Sequence, residues 1–403
     1  MTRADLLILG GGLVGTTLAL AAARKGITSH LVDRLDPAAM TADGFDGRAS
    51  AISTASWNLF ENIGLADALE PLGCPIASIA VSDQLKPGRI DFQPGPGDGT
   101  LGRMFANRVL RRELYEQAKG NEAITIHSGV EVSDRHRDAY GVAATLSNGT
   151  ELKASLMVAA EGRQSPTRQG AGIPVTRWDY RHRAIVAGLT HERSHENVAW
   201  EIFYPSGPFA LLPLLDDADG RHRSALVWTV DEKDAAGVLG MGDRAFEHEV
   251  REAMGNLFGE IQVSGPRSSW PLGFHHTATV TAERLALVGD AGHGIHPIAG
   301  QGFNLGLRDV GALVEVISEG LRLGLEPGDA QLLKRYENWR GLDTFTVALA
   351  TDSLTRLFGV PGRTASAVRR FGMSAVQRTP LLKNWFMDEA RGVSGALPEM
   401  LRA

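Results

Sequence analysis

The residues best placed to do chemistry lie between Leu285 and Asp309, in the run LALVGDAGHGIHPIAGQGFNLGLRD. A strand-like apolar stretch, Leu285 to Val288, ends in Gly289-Asp290. A loop with His293, His296 and Pro297 follows, and Gly300-Gln301-Gly302 leads into a helix from about Phe303. Asp290 can accept hydrogen bonds from sugar-alcohol hydroxyls. Glycines at 289, 300 and 302 let backbone approach a flat ring closely. The helix N-terminus expected at Gly302 to Asn304 supplies free N–H groups and a positive dipole end. Such an end stabilises the negative charge of a reduced isoalloxazine. This combination suits a flavin.

A second set of glycines opens the chain. Leu6 to Leu9 reads as a buried parallel strand, followed by Gly10-x-Gly12-x-x-Gly15 and an Ala- and Leu-rich helix over Thr16 to Lys25. Gly26 closes that helix, and His30 to Asp33 reads as the next strand. A glycine fingerprint is weak evidence alone, but here strand, helix and an acid 18 residues beyond Gly15 stand in the required order. Gly10 makes the tight turn, Gly12 admits a pyrophosphate, and Gly15 allows close helix–strand packing. Asp33 binds ribose hydroxyls and repels a 2′-phosphate, so FAD or NAD is expected rather than NADP.

The elements that must position these groups divide the chain. Residues 124 to 160 read as two or three strands around Ser147-Asn148-Gly149-Thr150. From about Val175 to Thr279 short apolar runs alternate with turns: Ala184 to Leu189, Ala199 to Tyr204, Phe209 to Leu214 and Ser224 to Val230. This reads as an antiparallel sheet, joined by Ile76 to Phe92 from earlier in the chain. Helix is expected again at Phe303 to Leu323 and Lys334 to Phe358.

Bulk properties exclude several classes. The chain has 403 residues, enough for two domains. A net charge of −6 gives no field favouring nucleic acid. Cys74 is the only cysteine, which excludes internal disulfides and argues against a Cys-based metal site. No leader is expected before the first strand, and no apolar run approaches the about 18 residues that span a bilayer. A cytoplasmic location is the expectation, with peripheral attachment to the inner face of the cytoplasmic membrane as its extension.

On these motifs the chain resembles flavin-dependent aromatic hydroxylases of the p-hydroxybenzoate-hydroxylase type. It is most similar to the branch that hydroxylates the ring of ubiquinone precursors. HPIAGQGFNLGLRD at 296–309 carries that resemblance most specifically, with support at 10–15, 46–53 and 158–168. Tyr336, Arg340, Asp343, Thr351, Asp352, Leu354 and Phe358 match the tail of the same branch. The resemblance implies an α/β chain, α+β overall: a Rossmann-like FAD-binding domain interrupted by an antiparallel substrate sheet, with a C-terminal helical segment. The expected division is 1–75, 105–174 and 280–333 for FAD, 76–104 and 175–279 for substrate, and 334–403 for the tail.

The resemblance also assigns roles. Arg48 lies near the pyrophosphate or the isoalloxazine, and Asn107, with Arg111 behind it, reaches FAD from a helix beginning at 107. Glu161-Gly162 stands where the family usually has Asp-Gly, in a fingerprint that contacts FAD and a passing pyridine nucleotide. Gly289, Asp290, Gly300, Gly302, Phe303 and Asn304 hold the flavin. Pro297 shapes the loop against the ring, Asn304 belongs to the helix end that stabilises the anionic flavin, and His296 is the candidate for proton transfer. The pair His293 and His296 is thin evidence for a metal, and both serve equally as loop hydrogen-bonders.

The implied reaction is ring hydroxylation of a polyprenylated phenol through a flavin C4a-hydroperoxide formed with O₂. The reductant is NAD(P)H or a ferredoxin-type donor. The alternatives are a soluble aromatic-acid hydroxylase, for which Arg181, Arg183, Arg221 or Arg223 would hold the carboxylate, and a non-catalytic flavin-binding subunit of a quinone-synthesis complex. Arg356 to Arg391 carries seven Arg/Lys against Asp388 and Glu389, interleaved with Phe358, Phe371, Trp385 and Phe386. That segment suits a membrane surface or partner complex, or a solvated face with core aromatics. A homo-oligomer stays open.

Overall fold

A computed structural model describes residues 3–36, 38, 45–95, 97, 99–294, 300–341, 343–344 and 376–402. Its centre is the strand Ala4–Leu9, of which Leu6 to Leu9 are fully buried. Parallel partners cover both its edges: Glu151–Ala159 on one side and Ser29–Asp33 on the other. Ile124–Ser128 extends the sheet beyond Ser29–Asp33, and Leu285–Leu287 extends it beyond Glu151–Ala159. Strands covered on both faces read as continuous apolar runs, which is why this sheet was visible in the sequence.

The helix Leu13–Arg24 follows the first strand and is buried from Gly15 to Ala22. It packs against Asn107–Lys119 and against the long helix Gln301–Arg322. Gly306 permits the second crossing, since a Cβ there would lie 2.9 Å from Val14 Cγ2. Residues 124–160 form four strands rather than two or three. Val132–Asp138 escaped the reading because its run VSDRHRD is polar and largely solvent-facing.

The second large sheet has eight strands, in the order His293–Gly294, Ile261–Thr277, Val175–His191, His222–Asp231, Gly207–Leu214, Val198–Tyr204, Ser78–Asp83 and Ile90–Phe92. It departs from the expected pattern in three ways. Ser78–Asp83 joins parallel, not antiparallel, to Val198–Tyr204. Val175–His191 and Ile261–Thr277 are 17-residue strands, paired with register shifts at Asp179/His182 and Val186/Gly188. Arg181 takes φ 56° at the first shift, with its N–H donating to Asp179 Oδ1 at 2.7 Å. Finally, the helices Glu232–Gly240 and Asp243–Met254 follow His222–Asp231.

These helices cover one sheet face, where Phe246, Val250 and Met254 meet Ile185, Ile202, Leu211 and Leu226. Strand alternation sends the intervening residues to the other face. That inner face turns toward a small third sheet of Ala49–Ser53, Gly102–Ala106 and Cys74–Pro75. The helix Pro380–Ala390 reaches the same region through Met387.

Candidate functional site: two helix ends, a basic cluster and a glycine-lined loop

Gly10 has φ 105°, and a Cβ there would stand 2.5 Å from the Ala160 carbonyl oxygen. At Gly15 a Cβ would come within 1.8 Å of the Gly10 carbonyl oxygen. A Cβ on Gly12 would meet nothing within 4 Å. The first two glycines therefore serve packing inside the protein, whereas Gly12 faces open space at a helix N-terminus. No side chain caps that terminus and its first turn holds no acid. Its N–H groups are available to an anion. Asp33 Oδ2 accepts from the Gly11 N–H at 2.6 Å and Oδ1 from the Leu35 N–H at 2.7 Å. These bonds fix the carboxylate beside the glycine turn.

Across from this turn stands a basic cluster built by the strand Ala49–Ser53 and the helix Asn107–Lys119. Arg48 pairs with Asp46 at 2.6 Å and lies 5.3 Å from the centre of the Trp270 ring. Asn107 is tied to the same strand: its N–H donates to the Arg48 carbonyl at 3.0 Å and its Oδ1 accepts from Ser50 Oγ at 2.7 Å. Arg111 is half-buried within range of Arg48, Arg108, Asp46 and Asp33. Burial and then the Arg48 charge lower its pKa, against the pull of the two aspartates. Its Nε is buried and meets no hydrogen-bond partner. A buried guanidinium N–H without a partner, near an open helix end and two further arginines, is what a pyrophosphate would complete. The residues fit a dinucleotide.

The second glycine loop is held more tightly than the sequence suggested. Gly289 takes φ 58° and packs onto Val14, where a Cβ would approach to 3.1 Å. Asp290, half-exposed, receives Arg163 Nε at 3.3 Å. Arg163 also donates to the Gly273 carbonyl at 3.3 Å, and His275 Nε2 donates to the Asp290 carbonyl at 2.8 Å. Burial pulls the His275 pKa down to about 4, so its imidazole is neutral at physiological pH. His293–Gly294 pairs with His275 and His276, which makes this loop an edge strand of the long-strand sheet.

Gly300 caps the helix Gln301–Arg322 in the left-handed conformation, φ 63°. A Cβ on Gly302 would meet nothing within 4 Å, and the first turn carries neither a side-chain cap nor an acid. This is a second open helix end, beside that of Leu13–Arg24. Phe303 follows, packed against the main core. The Asn304 side chain is buried: its amide donates to the carbonyls of Ala51 at 2.9 Å and Gly300 at 3.3 Å, and its Oδ1 accepts from the Ser53 N–H at 3.0 Å. Asn304 thus clamps the helix end to the strand Ala49–Ser53, which follows directly on Arg48. His296 and Pro297 lie outside the described residues.

Glu161 abuts Gly10 through its backbone, while its carboxylate is engaged by other groups. Its carboxylate accepts from Ser165 Oγ at 2.6 Å and the Thr167 N–H at 3.1 Å, and pairs with Arg135 at 3.2 Å. It organises the turn into the short helix Pro166–Gly170.

Three groups escaped the sequence reading as site residues: Arg163, His275 and the buried Asp309. Asp309 accepts from the Gly289 N–H at 2.8 Å, His293 Nε2 at 2.6 Å and Arg340 Nε at 2.7 Å. Arg340 in turn pairs with Asp343, which also takes Arg308 at 2.8 Å. Tyr336 donates to the Leu287 carbonyl at 2.8 Å. This network explains why Tyr336, Arg340 and Asp343 belong together. The signal was Arg308-Asp309 inside an otherwise apolar helix, since charges in such a place are paired. Among the described residues no cluster of three or more metal-ligating side chains occurs.

A family profile described as FAD binding domain matches residues 3–343. The chain is 41% identical over 396 residues to ubiquinone hydroxylase UbiL of Rhodospirillum rubrum, covering 98% of this chain and 91% of that protein. It is 30% identical over 391 residues to 3-demethoxyubiquinol 3-hydroxylase of Escherichia coli, covering 96% and 98%. Among solved structures, p-nitrophenol 4-monooxygenase PnpA of Pseudomonas putida superposes with a TM-score of 0.78 at 16% identity, covering 96% of this chain and 98% of that one. Such a likeness speaks to the fold. With the fingerprint glycines, the open helix ends and these relatives in hand, the chain belongs to the family of FAD-binding monooxygenases, in the branch of the ubiquinone hydroxylases.

Proposed function

We propose that this flavoprotein hydroxylates the aromatic ring of a polyprenylated phenol on the route to ubiquinone, using O₂ and electrons from NAD(P)H or a ferredoxin-type donor. The observation that carries this reading is the shared edge at His293–Gly294. The glycine loop that suits the flavin ring is itself a strand of the eight-stranded sheet whose inner face carries the apolar cluster of Ala199, Leu214 and Ala225. A ring held on that face would lie against the cofactor with little room for water.

FAD, once bound and reduced, supplies the activation of O₂. The chain's own residues bind, orient and exclude water. The basic cluster of Arg48, Arg108 and Arg111 holds the pyrophosphate, Asp33 the adenosine ribose and Asp290 the ribityl hydroxyls. The helix end at Gly302 stabilises negative charge on the reduced ring. We assign His296 the proton transfer and Pro297 the shaping of the loop. A His296→Gln enzyme that hydroxylates at the full rate without releasing peroxide would end the His296 assignment. Residues 1–75, 105–174 and 280–333 are proposed as the FAD unit, 76–104 and 175–279 as the substrate unit, and 334–403 as the tail.

An aromatic-acid substrate is less well served. Arg221 is exposed and paired with Asp217 at 2.8 Å, Arg181 is exposed, and Arg183 donates to Ser269 Oγ at 2.9 Å. Arg223 lies over the Phe45 ring at 5.7 Å. A polyprenylated substrate also requires contact with a membrane or lipid-carrying complex. No helix among the described residues is long and apolar enough to cross a bilayer. We place that contact in the basic C-terminal segment, where Trp385 is 48% exposed.

The test uses purified protein: bound FAD by absorbance, then NADPH and NADH oxidation with and without a short-chain prenylphenol, and product by mass spectrometry. Substrate-stimulated oxidation with a hydroxylated product is expected. Bound FAD without turnover by either nucleotide would redirect the reading to a protein donor or a non-catalytic subunit.

A further inference from the structure

Glu201 is a carboxyl in an unusual place. It sits in the strand Val198–Tyr204, where Ile202 points to the helix-covered outer face. Alternation therefore directs Glu201 to the inner face, with Ala199 and Phe203 on either side. Its register partners are Ala210 and Val81; Ala210 pairs with Val227, and Val227 with Val186. The row Val186, Val227, Ala210, Glu201, Val81 thus crosses five strands of the sheet and contains one polar side chain.

One end of this row adjoins the cofactor-binding segment: a Cβ on Gly47, next to Arg48, would lie 3.4 Å from Val186 Cγ2. The neighbouring residues are small. Ala199, Ala210 and Ala225 stand on the face, and Val81 and Val227 are only half-buried. Among the described residues no hydrogen bond or ion pair engages the Glu201 carboxyl, although the residue is only 9% exposed.

We propose that Glu201 binds the ring oxygen of the substrate, a phenol or quinol hydroxyl on an otherwise apolar molecule laid along this row. The inference rests on the reading that the inner face holds the substrate. A buried carboxyl without a partner is costly, and a ligand hydroxyl would satisfy it. Burial pushes its pKa up to about 8, so at neutral pH the group is mostly uncharged. A neutral carboxyl both donates through its O–H and accepts through its carbonyl oxygen, which matches a hydroxyl in either role. It offers a carboxylate no compensating positive charge, so an aromatic acid gains less here than a phenol does.

The test compares FAD-loaded wild type, Glu201→Gln, Glu201→Leu and Ala210→Leu by calorimetric titration with a short-chain prenylphenol and with its O-methyl ether. FAD content and Tm are checked for each protein. Glu201→Leu should bind the phenol on the order of tenfold more weakly, as loss of one hydrogen bond in a dry site implies, and should lose less affinity for the ether, whose oxygen accepts weakly and cannot donate. Glu201→Gln, which keeps a donor and an acceptor, should stay within a few-fold of wild type. Ala210→Leu fills the space beside the carboxyl while leaving it intact, and should weaken both ligands. Wild-type affinity for the phenol in Glu201→Leu, or for both ligands in Ala210→Leu, would overturn the assignment while leaving the hydroxylase reading standing. A wild-type enzyme that holds FAD and binds neither ligand would remove the substrate reading itself, and Glu201's role with it.

Discussion

At the residue scale, three glycines of one fingerprint do different work. Gly15 is in contact with Gly10, so Gly15→Ala should displace the first helix and cost about 1–3 kcal/mol, read as a lowered Tm of the apoprotein. Gly12 has open space before it, so Gly12→Val should fold with a near-native Tm yet purify with little FAD. A flavin-replete Gly12→Val protein would remove Gly12 from the cofactor site. Glu201 makes a separate prediction, about pH. Its folded pKa is raised to about 8, so the folded state holds a proton that the unfolded chain has already released above its ordinary carboxylate pKa. Wild type should lose stability as pH rises toward 8, and Glu201→Gln should not. Parallel denaturation curves of the two proteins across that window would refute the burial. The sequence showed the glycines because their spacing is local. Glu201 was invisible because its meaning depends on which way a strand faces.

At the element scale, the decisive arrangement is the junction of two helix ends with one buried ion network. The helices Leu13–Arg24 and Gln301–Arg322 meet at Val14 and Gly306, and Asp309 fastens the second helix to the glycine loop and to residues 330–341. Burial alone would raise the Asp309 carboxyl, but His293 and Arg340 overcome it and hold its pKa below the ordinary value. Its contribution is therefore present above the unfolded pKa and lost as pH falls through the folded one. Removing one member leaves an uncompensated buried charge, so Asp309→Asn should destabilise by about 3–5 kcal/mol and loosen FAD together with the loop. Chemical denaturation and flavin retention after gel filtration would check both. Native stability in Asp309→Asn would mean that the network is not holding the loop.

At the scale of the whole molecule, residues 391–402 close over the core built around the first glycine fingerprint. Arg308 Nη2 donates to the carbonyls of Gly392 and Ser394 at 2.8 Å, Trp339 Nε1 donates to the Ala396 carbonyl at 2.9 Å, and Asn58 donates to that of Leu401 at 3.1 Å. Truncation before Arg391 would strand a buried guanidinium and expose the core around Met400 and Leu401. Such a protein should be recovered aggregated or with a much reduced Tm. The basic segment ahead of that closure gives the membrane prediction. Full-length protein should cosediment with anionic vesicles, weakly with zwitterionic ones, and be released by salt. Equal behaviour with both vesicle types would leave the segment as a solvated face.

What the sequence determined by itself was local and periodic. The fingerprint at 10–15, Asp33, the loop at 285–309 and the parallel strands were legible because each depends on residues near one another in the chain or on an unbroken apolar run. Their spacing sufficed to identify the cofactor class. The tertiary structure decided what depends on faces, partners and register. It turned His293 toward Asp309 and spent the Asn304 amide on Ala51 and Ser53. It engaged Glu161 with Ser165 and Arg135, and made His293–Gly294 an edge of the second eight-stranded sheet. The physical reason is that a buried polar group must find its partner wherever the fold brings one, and sequence distance does not limit that search. Asp309 meets Arg340 across 31 positions, and Asn304 meets Ser53 across 251.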